Sequence, residues 1–327
     1  MDLPTLWFLA IALLWTGYLV LEGFDFGVGM LLPTVGRDEA GRRTMINAIG
    51  PVWDGNEVWL ITAIGAMFAA FPAWYAATLS GFYLPVLLIV VALVFRGVAF
   101  EYRGKIDSVV WRRRWDAAIL GGSLVPAFGW GLVFANLLRG VEIGADGVVR
   151  SGLVDLLSPY ALLGGLATTT LFVLHGALFL GLKTDGPVRH RARLAARTSA
   201  FAAVPVAGGF LAWTVRDQGS GAVAALLAVG LLLAAVAAAA RRREGWAFAA
   251  TAAAVVALAV VVFDGLHPAL MRSTVSPAFD LTVANASSGP YTLGVLSVIG
   301  AVFLPLVIGY QAWSYWVFRK RVRVEAS

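Results

Sequence analysis

Long apolar runs separated by short polar segments dominate the chain. A helix that crosses the roughly 30 Å apolar core of a bilayer needs about 20 mostly apolar residues. The pattern therefore predicts an all-α polytopic membrane protein with nine transmembrane helices, which would suit two four-helix bundles plus one extra helix. The nine runs cover about 5–32, 55–78, 80–100, 115–137, 159–182, 199–215, 221–240, 246–264 and 290–318.

Basic residues predict the orientation of these helices. Most of the 25 lysines and arginines lie on the same side of the predicted helices, in the segments 34–50, 96–114, 183–198, 241–243 and 319–323. Cytoplasmic loops of membrane proteins carry the excess of Lys and Arg. We therefore expect the N-terminus outside and the C-terminus in the cytoplasm. Nine spans agree with this, because an odd number places the two termini on opposite sides of the membrane.

The composition excludes several classes of protein. Hydrophobic residues make up 60% of the 327 residues and charged residues 13%, and the mean hydropathy is +0.81. Soluble domains contain roughly 25% charged residues, so an ordinary cytoplasmic globule and a disordered chain are both excluded. The net charge of +6 does not indicate nucleic-acid binding, because the basic residues lie in short loops between apolar runs. Without cysteine, this chain alone forms no disulfide, thiolate metal site or iron–sulfur cluster.

Polar chemistry is concentrated in the first part of the chain. We expect one integral membrane domain over 1–327, in which helices one to four, about 5–137, carry most polar sites. Helices five to nine, about 159–318, are interpreted mainly as scaffold, because 199–262 consists mostly of Ala, Val and Leu. The segment 265–290 contains Pro268, Pro277 and Gly289 and is predicted to be an ordered cap on the outside surface.

Two acids lie within the first predicted helix. Glu22 and Asp25 are unusual there, because charged side chains in a membrane helix are costly and face a bundle interior or a water path. No convincing cleavage site follows, so this run is predicted to be a retained helix rather than a signal peptide. Gly23 and Gly27 have the spacing that lets another helix approach closely. The acids therefore belong either to a functional path or to a tightly packed helix pair in which they only accept hydrogen bonds.

Two further acids open the second predicted helix. Asp54 and Glu57 follow Pro51 and stand beside Trp53 and Trp59. Acids near a helix N-terminus are stabilised by the macrodipole, and tryptophans are common at the membrane interface. Capping explains one acid well, but it leaves the crowding of two acids with Trp and Asn unexplained. Asp54 is therefore a candidate functional residue, and Glu57 a weaker one.

A third polar cluster lies near the end of the third predicted helix and includes Arg96. Glu101 and Lys105 are four residues apart, so on a helix they share a face and can pair. Arg103 and Asp107 are interpreted as part of a solvated helix end. The acids of the first two helices are predicted at a similar depth, so these groups could form a chain of titratable side chains leading in from the cytoplasm.

The three histidines limit cofactor chemistry. His175 is inside a predicted span, whereas His190 and His267 are in loops. His175 and a methionine such as Met67 could in principle ligate haem. A single membrane histidine is more often a hydrogen-bonding core residue, which is the interpretation we favour. The chain contains no H-E-x-x-H, P-loop or Rossmann glycine pattern.

Several of these segments closely resemble subunit II of the cytochrome bd-type quinol oxidases. The similarity is strong over 20–140, weaker to about 185 and mostly topological beyond. The first strong match is Gly23-Phe24-Asp25-Phe26-Gly27-Val28-Gly29-Met30-Leu31. The others are Arg42-Arg43-Thr44-Met45-Ile46-Asn47 and Trp53-Asp54-Gly55-Asn56-Glu57-Val58-Trp59-Leu60-Ile61-Thr62. Shorter matches lie at 80–83, 95–96, 100–103, 115–116, 134–138, 175–177 and 182–184.

The resemblance implies a definite place for this chain. It would pair with a haem-bearing subunit I that oxidises quinol and reduces dioxygen to water in the bacterial cytoplasmic membrane. The b-type and d-type haems are expected in that partner, and this chain is expected to ligate no haem or metal and to hold no catalytic residue of its own. The resemblance also allows small accessory subunits, membrane lipid and a structural quinone as partners. Nucleic acid is not expected as a partner.

The resemblance also implies roles for individual residues. The path that leads cytoplasmic protons toward the oxygen-reducing haem maps onto Asp54 and Lys105, and Asp25 matches the acid of helix one. Glu101 stands where some members have aspartate, which keeps a carboxylate one methylene longer. Glu57 completes the candidate set through its position beside Asp54.

Two alternatives stay open from the residues. Intramembrane acids and Gly-interrupted helices also suit a proton-coupled secondary transporter, although clear inverted repeats are not found in the sequence. The chain could also be a purely structural partner subunit without any role in proton transfer.

Overall fold

Eleven α-helices make up most of the computed structural model, which describes residues 2–323. Met1 and residues 324–327, the ends of the predicted domain, lie outside this range. The first six helices are α1 (Leu3–Val35), α2 (Glu39–Ile49), α3 (Trp53–Ala70), α4 (Pro72–Gly81), α5 (Tyr83–Tyr102) and α6 (Val109–Arg139). The others are α7 (Pro159–Lys183), α8 (Gly186–Gln218), α9 (Ala222–Ala240), α10 (Glu244–Leu266) and α11 (Pro290–Val317). Two short strands, β1 (Ala269–Met271) and β2 (Leu281–Thr282), pair antiparallel.

Eight of the helices in the described range are long and apolar enough to cross a membrane: α1, α5, α6, α7, α8, α9, α10 and α11. The chain is thus an all-α, multi-pass membrane protein, as predicted. The apolar run 55–78 is the one predicted span without a single helix of this kind. The count of nine spans and the orientation of the termini therefore stay predictions.

The run 55–78 is divided between α3 and α4 because of a proline. Pro72 has no N–H and disfavours helical geometry in the residue before it. Phe71 accordingly adopts φ −137° and ψ 69°, and the helix breaks there. The apolar run continues through Pro72, so hydropathy alone predicts one helix over 55–78.

Two segments predicted as cytoplasmic loops are instead helical. Helix α2 lies within the predicted loop 34–50, and α8 begins at Gly186, well before the predicted start of the sixth span at 199. Asp38 caps α2 by accepting a hydrogen bond from the amide of Gly41 at 2.7 Å. Arginine and alanine are good helix formers, so the basic segment before 199 extends the helix out of the apolar region.

Helix α1 lies at the centre of the molecule and contacts α3, α6, α7 and α10. Helix α5 packs mainly on α6, helices α7 to α10 pack on one another, and α11 lies beside α3 and α1. The division into two four-helix bundles and one further helix stays a prediction. The packing of the helices positions polar residues of α1 against both α3 and α5.

The backbones of α1 and α7 cross in direct contact. A methyl group placed on Gly27 would lie 1.9 Å from the carbonyl oxygen of Phe172 and 2.8 Å from the Cα of Gly176. Only glycine at both positions allows this approach. The close helix contact predicted from the spacing of Gly23 and Gly27 is therefore confirmed, with α7 as the neighbour.

The segment 265–290 folds into an ordered cap, and its position on the outside surface stays a prediction. It carries β1 and β2 and packs on the loop between α6 and α7, where the amide of Val141 donates to the carbonyl of Arg272 at 3.0 Å. The amide of Thr274 donates back to Val141 at 3.0 Å. The cap is joined to the end of α3 by the amide of Ser288, which donates to the carbonyl of Ala70 at 2.8 Å.

Candidate functional site: a buried polar network between four helices

Arg96 is the centre of a polar network inside the membrane-spanning region. Its side chain is fully buried on α5. The Nη1 atom donates to Glu22 on α1 and to Oε1 of Glu57 on α3, the latter at 3.1 Å. Glu22 is fully buried, whereas the side chain of Glu57 keeps 21% of its surface exposed. One cation thus joins two acids from two different helices.

The environment of Arg96 holds its guanidinium in place. The guanidinium carbon lies 5.0 Å from the ring centroid of Phe26 and 5.1 Å from that of Phe100, which are cation–π distances. Helix α6 packs directly against the same turn of α5, because Gly122 has no side chain to separate them. The charge is therefore enclosed by aromatic rings and backbone rather than by solvent.

Asp25 belongs to a second branch that extends to α11. The Nδ2 atom of the buried Asn56 donates to Oδ2 of Asp25 at 2.6 Å and to the carbonyl of Leu21 at 3.2 Å. The Oδ1 atom of Asn56 accepts hydrogen bonds from Gln311 at 2.8 Å and Tyr315 at 2.9 Å. Asn56 thereby uses both ends of its amide to join α1, α3 and α11.

Two carboxyl oxygens of this network have no hydrogen-bond partner among the described residues. They are Oε2 of Glu22 and Oδ1 of Asp25, and both belong to fully buried side chains. Buried polar atoms are nearly always hydrogen-bonded, so such exceptions call for an explanation. Each oxygen is a site that could accept a proton or a hydrogen bond.

The predicted site residues separate into two groups. Asp25 and Glu57 are part of the network. Asp54 lies on the first turn of α3 and is exposed, three residues before Glu57 and hence on the same helix face. This placement puts Asp54 at the exposed edge of the network, with Glu57 one turn farther in.

Glu101 and Lys105 are exposed and lie outside the network. Their predicted pairing on a shared helix face is wrong, because α5 ends at Tyr102 and Lys105 lies in the turn that follows. Within residues 2–323, neither side chain makes an ion pair. Both lie at the exposed end of α5 and, within the described residues, make no hydrogen bond or ion pair with the buried acids.

The interpretation of Arg103 as part of a solvated helix end is also wrong. Its side chain is only 7% exposed and binds Asp116 at 2.6 Å and Glu39 at 2.8 Å. Hydrogen bonds from Arg103 lower the pKa of Glu39, which keeps that surface carboxylate charged. Asp107, in contrast, is 98% exposed and pairs with Arg112, as expected for a solvated residue.

His175 is a hydrogen-bonding core residue, in agreement with the favoured interpretation. Its Nδ1 atom lies 2.7 Å from the hydroxyl of Thr251, and its Nε2 atom lies 3.3 Å from the carbonyl of Val20. The ring stacks on Phe248 at a centroid distance of 4.6 Å. The sulfur of Met67 accepts a hydrogen bond from Trp15 at 3.3 Å. With both nitrogens engaged and its faces packed, His175 does not fit the role of a haem ligand.

Sequence reasoning missed several members of the network. Arg96 was grouped with the loop charges, and Asn56, Gln311 and Tyr315 were not singled out. The signal for Arg96 was its position inside the predicted span 80–100, since an ionisable residue in a span indicates a functional site. Within the described part of the chain, no group of three or more His, Cys, Asp or Glu side chains is arranged to hold a metal ion.

Comparison with known proteins identifies the family. The family described as cytochrome bd terminal oxidase subunit II matches residues 3–318. The chain is 44% identical to cytochrome bd ubiquinol oxidase subunit 2 of Bacillus subtilis, over 98% of this chain and 97% of the relative. It is 34% identical to cytochrome bd-I ubiquinol oxidase subunit 2 of Escherichia coli, over 98% and 95% of the two chains.

A solved structure has the same fold. It is the bd oxidase from Geobacillus thermodenitrificans, with a TM-score of 0.79, 20% identity, and coverage of 97% of this chain and 99% of that chain. The sequence relatives and the family match span nearly the whole polypeptide. The chain therefore belongs to the cytochrome bd terminal oxidase subunit II family and is a membrane subunit of an oxidoreductase.

Proposed function

We propose that this chain is the haem-free subunit of a bd-type quinol oxidase in the bacterial cytoplasmic membrane, where it supports a haem-bearing subunit I and leads cytoplasmic protons toward the oxygen-reducing site. The observation that carries the proposal is the row of acids from exposed Asp54 through half-buried Glu57 to buried Glu22 and Asp25. Membership of the oxidase family favours this function over a secondary transporter.

The haem-free role is supported by the available donors. His175 is the buried histidine of the described chain, and both of its nitrogens already have partners. His190 and His267 are exposed on α8 and in the cap. We therefore assign the haems of the complex to subunit I.

A surface for subunit I is supported by the poor packing of α11. This 28-residue helix buries only Leu293 among its described side chains, and its exposed residues are mostly large and apolar. Helices α3 and α5 expose a neighbouring apolar surface that includes Ile61, Leu88 and Val94. A partner that covers this surface would also cover Gln311 and Tyr315, the outer end of the Asp25 branch.

The proton path follows from chemistry and placement. Reduction of dioxygen to water consumes protons at a site buried in the membrane. If those protons come from the cytoplasm while quinol releases its own outside, charge is separated without a pump. Asp54 would take up the proton, and Glu57 would pass it inward. Arg96 would stabilise the negative charge of the buried acids, so that they can both release and accept a proton. At the exposed opening, Glu101 would exchange protons with solvent, and the positive charge of Lys105 would tune the nearby carboxylates.

Co-purification tests the assignment to the complex. We expect the tagged chain, extracted from native membranes in mild detergent, to bring down a second large membrane subunit with b-type and d-type haem bands in the dithionite-reduced minus air-oxidised spectrum. A colourless chain without a partner, from membranes that contain the oxidase, would overturn the assignment and favour the transporter.

Replacement of Asp54 with Asn tests the proton path. We expect quinol-driven oxygen consumption to fall by roughly 100-fold, the lower end of what a positioned proton-transfer group contributes, with an unchanged haem spectrum. Asp107→Asn is the matched control, because Asp107 is almost fully exposed and lies outside the network. Wild-type turnover of Asp54→Asn across pH would remove Asp54 from the path and support the purely structural alternative.

A further inference from the structure

A cleft between the C-terminal part of α1 and the first half of α8 is not explained by the network. Its volume is about 650 Å³, within the range of small-molecule sites. The wall consists of apolar and basic side chains together with the hydroxyl side chains of Thr34, Thr198 and Ser199. The lining residues used below are Leu31, Arg37, Val173, His190, Arg191 and Leu194.

The basic and apolar walls lie at opposite ends of the cleft. Arg37 follows the end of α1, and His190 and Arg191 lie in the first two turns of α8. Leu31 and Leu194 lie about one turn farther from those helix ends, and Val173 is ten residues before the end of α7. A helix rises about 1.5 Å per residue, so Val173 lies roughly 15 Å into the helix. The cleft therefore leads from a basic opening at the helix ends into a mainly apolar slot, in which Thr198 and Ser199 are the polar lining residues.

The basic opening has an excess of positive charge. Arg191 pairs with Asp38 at 3.3 Å and also donates to the carbonyl of Val35 at 3.2 Å. The amide of Gly41 donates to Asp38 and lowers its pKa, which keeps that acid charged. Arg37 is exposed and makes no ion pair within residues 2–323. Asp38 thus pairs with one of the two arginines, and no acid among the described residues lines the cleft itself.

We propose that this cleft binds an anionic diacyl phospholipid of the cytoplasmic leaflet. Basic pockets between transmembrane helices on that side bind anionic headgroups, and the guanidinium fork matches a phosphate. The phosphate would lie between Arg37 and Arg191, and one acyl chain would follow Leu31, Leu194 and Val173. A neutral quinone would use the apolar slot but would gain nothing from the two arginines.

Lipid titration of the purified oxidase tests this site. We would follow stepwise binding by native mass spectrometry after detergent exchange, with phosphatidylglycerol and phosphatidylcholine of identical acyl chains. One basic residue near a headgroup changes affinity roughly fivefold. Phosphatidylglycerol should therefore bind roughly 25-fold more tightly than phosphatidylcholine, and Arg37→Gln should weaken phosphatidylglycerol roughly fivefold and the net-neutral phosphatidylcholine less.

Two further variants make the result specific. Arg197→Gln is the matched control, because Arg197 is an exposed arginine of α8 that does not line the cleft, and it should bind as the wild type does. Leu194→Asp should weaken both lipids, since it places a charge in the apolar slot. Equal affinity for the two lipids, an unchanged Arg37→Gln variant, or displacement of phosphatidylglycerol by inorganic phosphate would each overturn the proposal.

Discussion

Replacing Gly27 with alanine is expected to prevent stable assembly of the membrane domain. The added methyl group would meet the Phe172 carbonyl oxygen at 1.9 Å and the backbone of Gly176 at 2.8 Å. Both contacts are to backbone, so no side-chain rotation relieves them, and α7 would have to move away from α1. Overpacking of a well-packed core costs about 1–3 kcal/mol, and more where backbone is displaced.

The measurement is the yield of monodisperse oxidase after detergent extraction, with the thermal midpoint of whatever is recovered. Gly121→Ala on α6 is the matched control, because a methyl group there meets no atom within 4 Å. Gly176→Ala should fail in the same way as Gly27→Ala, since the two residues face each other. Wild-type yield and thermal midpoint for Gly27→Ala would contradict the direct contact of the two helices.

Replacing Arg96 with glutamine is expected to destabilise the chain by roughly 3–5 kcal/mol, the cost of leaving a buried charge without its partner. Glu22 and Glu57 would then face each other without the guanidinium that now separates them. The loss should appear as a large fall in the thermal midpoint of the purified oxidase. Arg96→Lys should be intermediate, because lysine keeps the charge but not the planar fork.

A double variant separates the ion pair from general damage to α5. Adding Glu22→Gln to Arg96→Gln removes one of the unpaired acids, and we expect it to recover part of the lost stability. Arg114→Gln is the control, since Arg114 is exposed near the start of α6 and should leave the midpoint unchanged. If the double variant is as unstable as the sum of the two single variants, the pair does not act as a unit.

Much of the architecture could be predicted because hydropathy is a local property. Eight of the nine predicted runs coincide with single apolar helices, since a run of about 20 apolar residues has few other stable structures in a membrane. The exceptions have local causes that hydropathy ignores. Pro72 divides the second run, and the helix-forming basic segment of α8 begins at Gly186 rather than at 199.

The candidate site could be predicted only in part. The unusual acids Asp25, Asp54 and Glu57 were visible from the sequence because ionisable residues are rare in membrane helices. The role of Lys105 and Glu101 beside them could not be judged, since their pairing depended on where α5 ends. Asn56 was visible in the motif, but its contacts with Gln311 and Tyr315 were not.

By itself, the sequence determined the class of protein, the positions of most helices and the resemblance to one oxidase family. Each of these depends on composition or on short continuous motifs. The tertiary structure alone decided that Arg96 binds Glu22, 74 residues away, and that Asn56 binds Gln311, 255 residues away. Contacts of this kind depend on which helices lie side by side and how each is rotated. Lipid accommodates apolar surface on every side of a transmembrane helix, so the apolar residues alone do not indicate how the helix is rotated. The rotation is set by the polar face, and that face is identified only when its contact partners on the other helices are known.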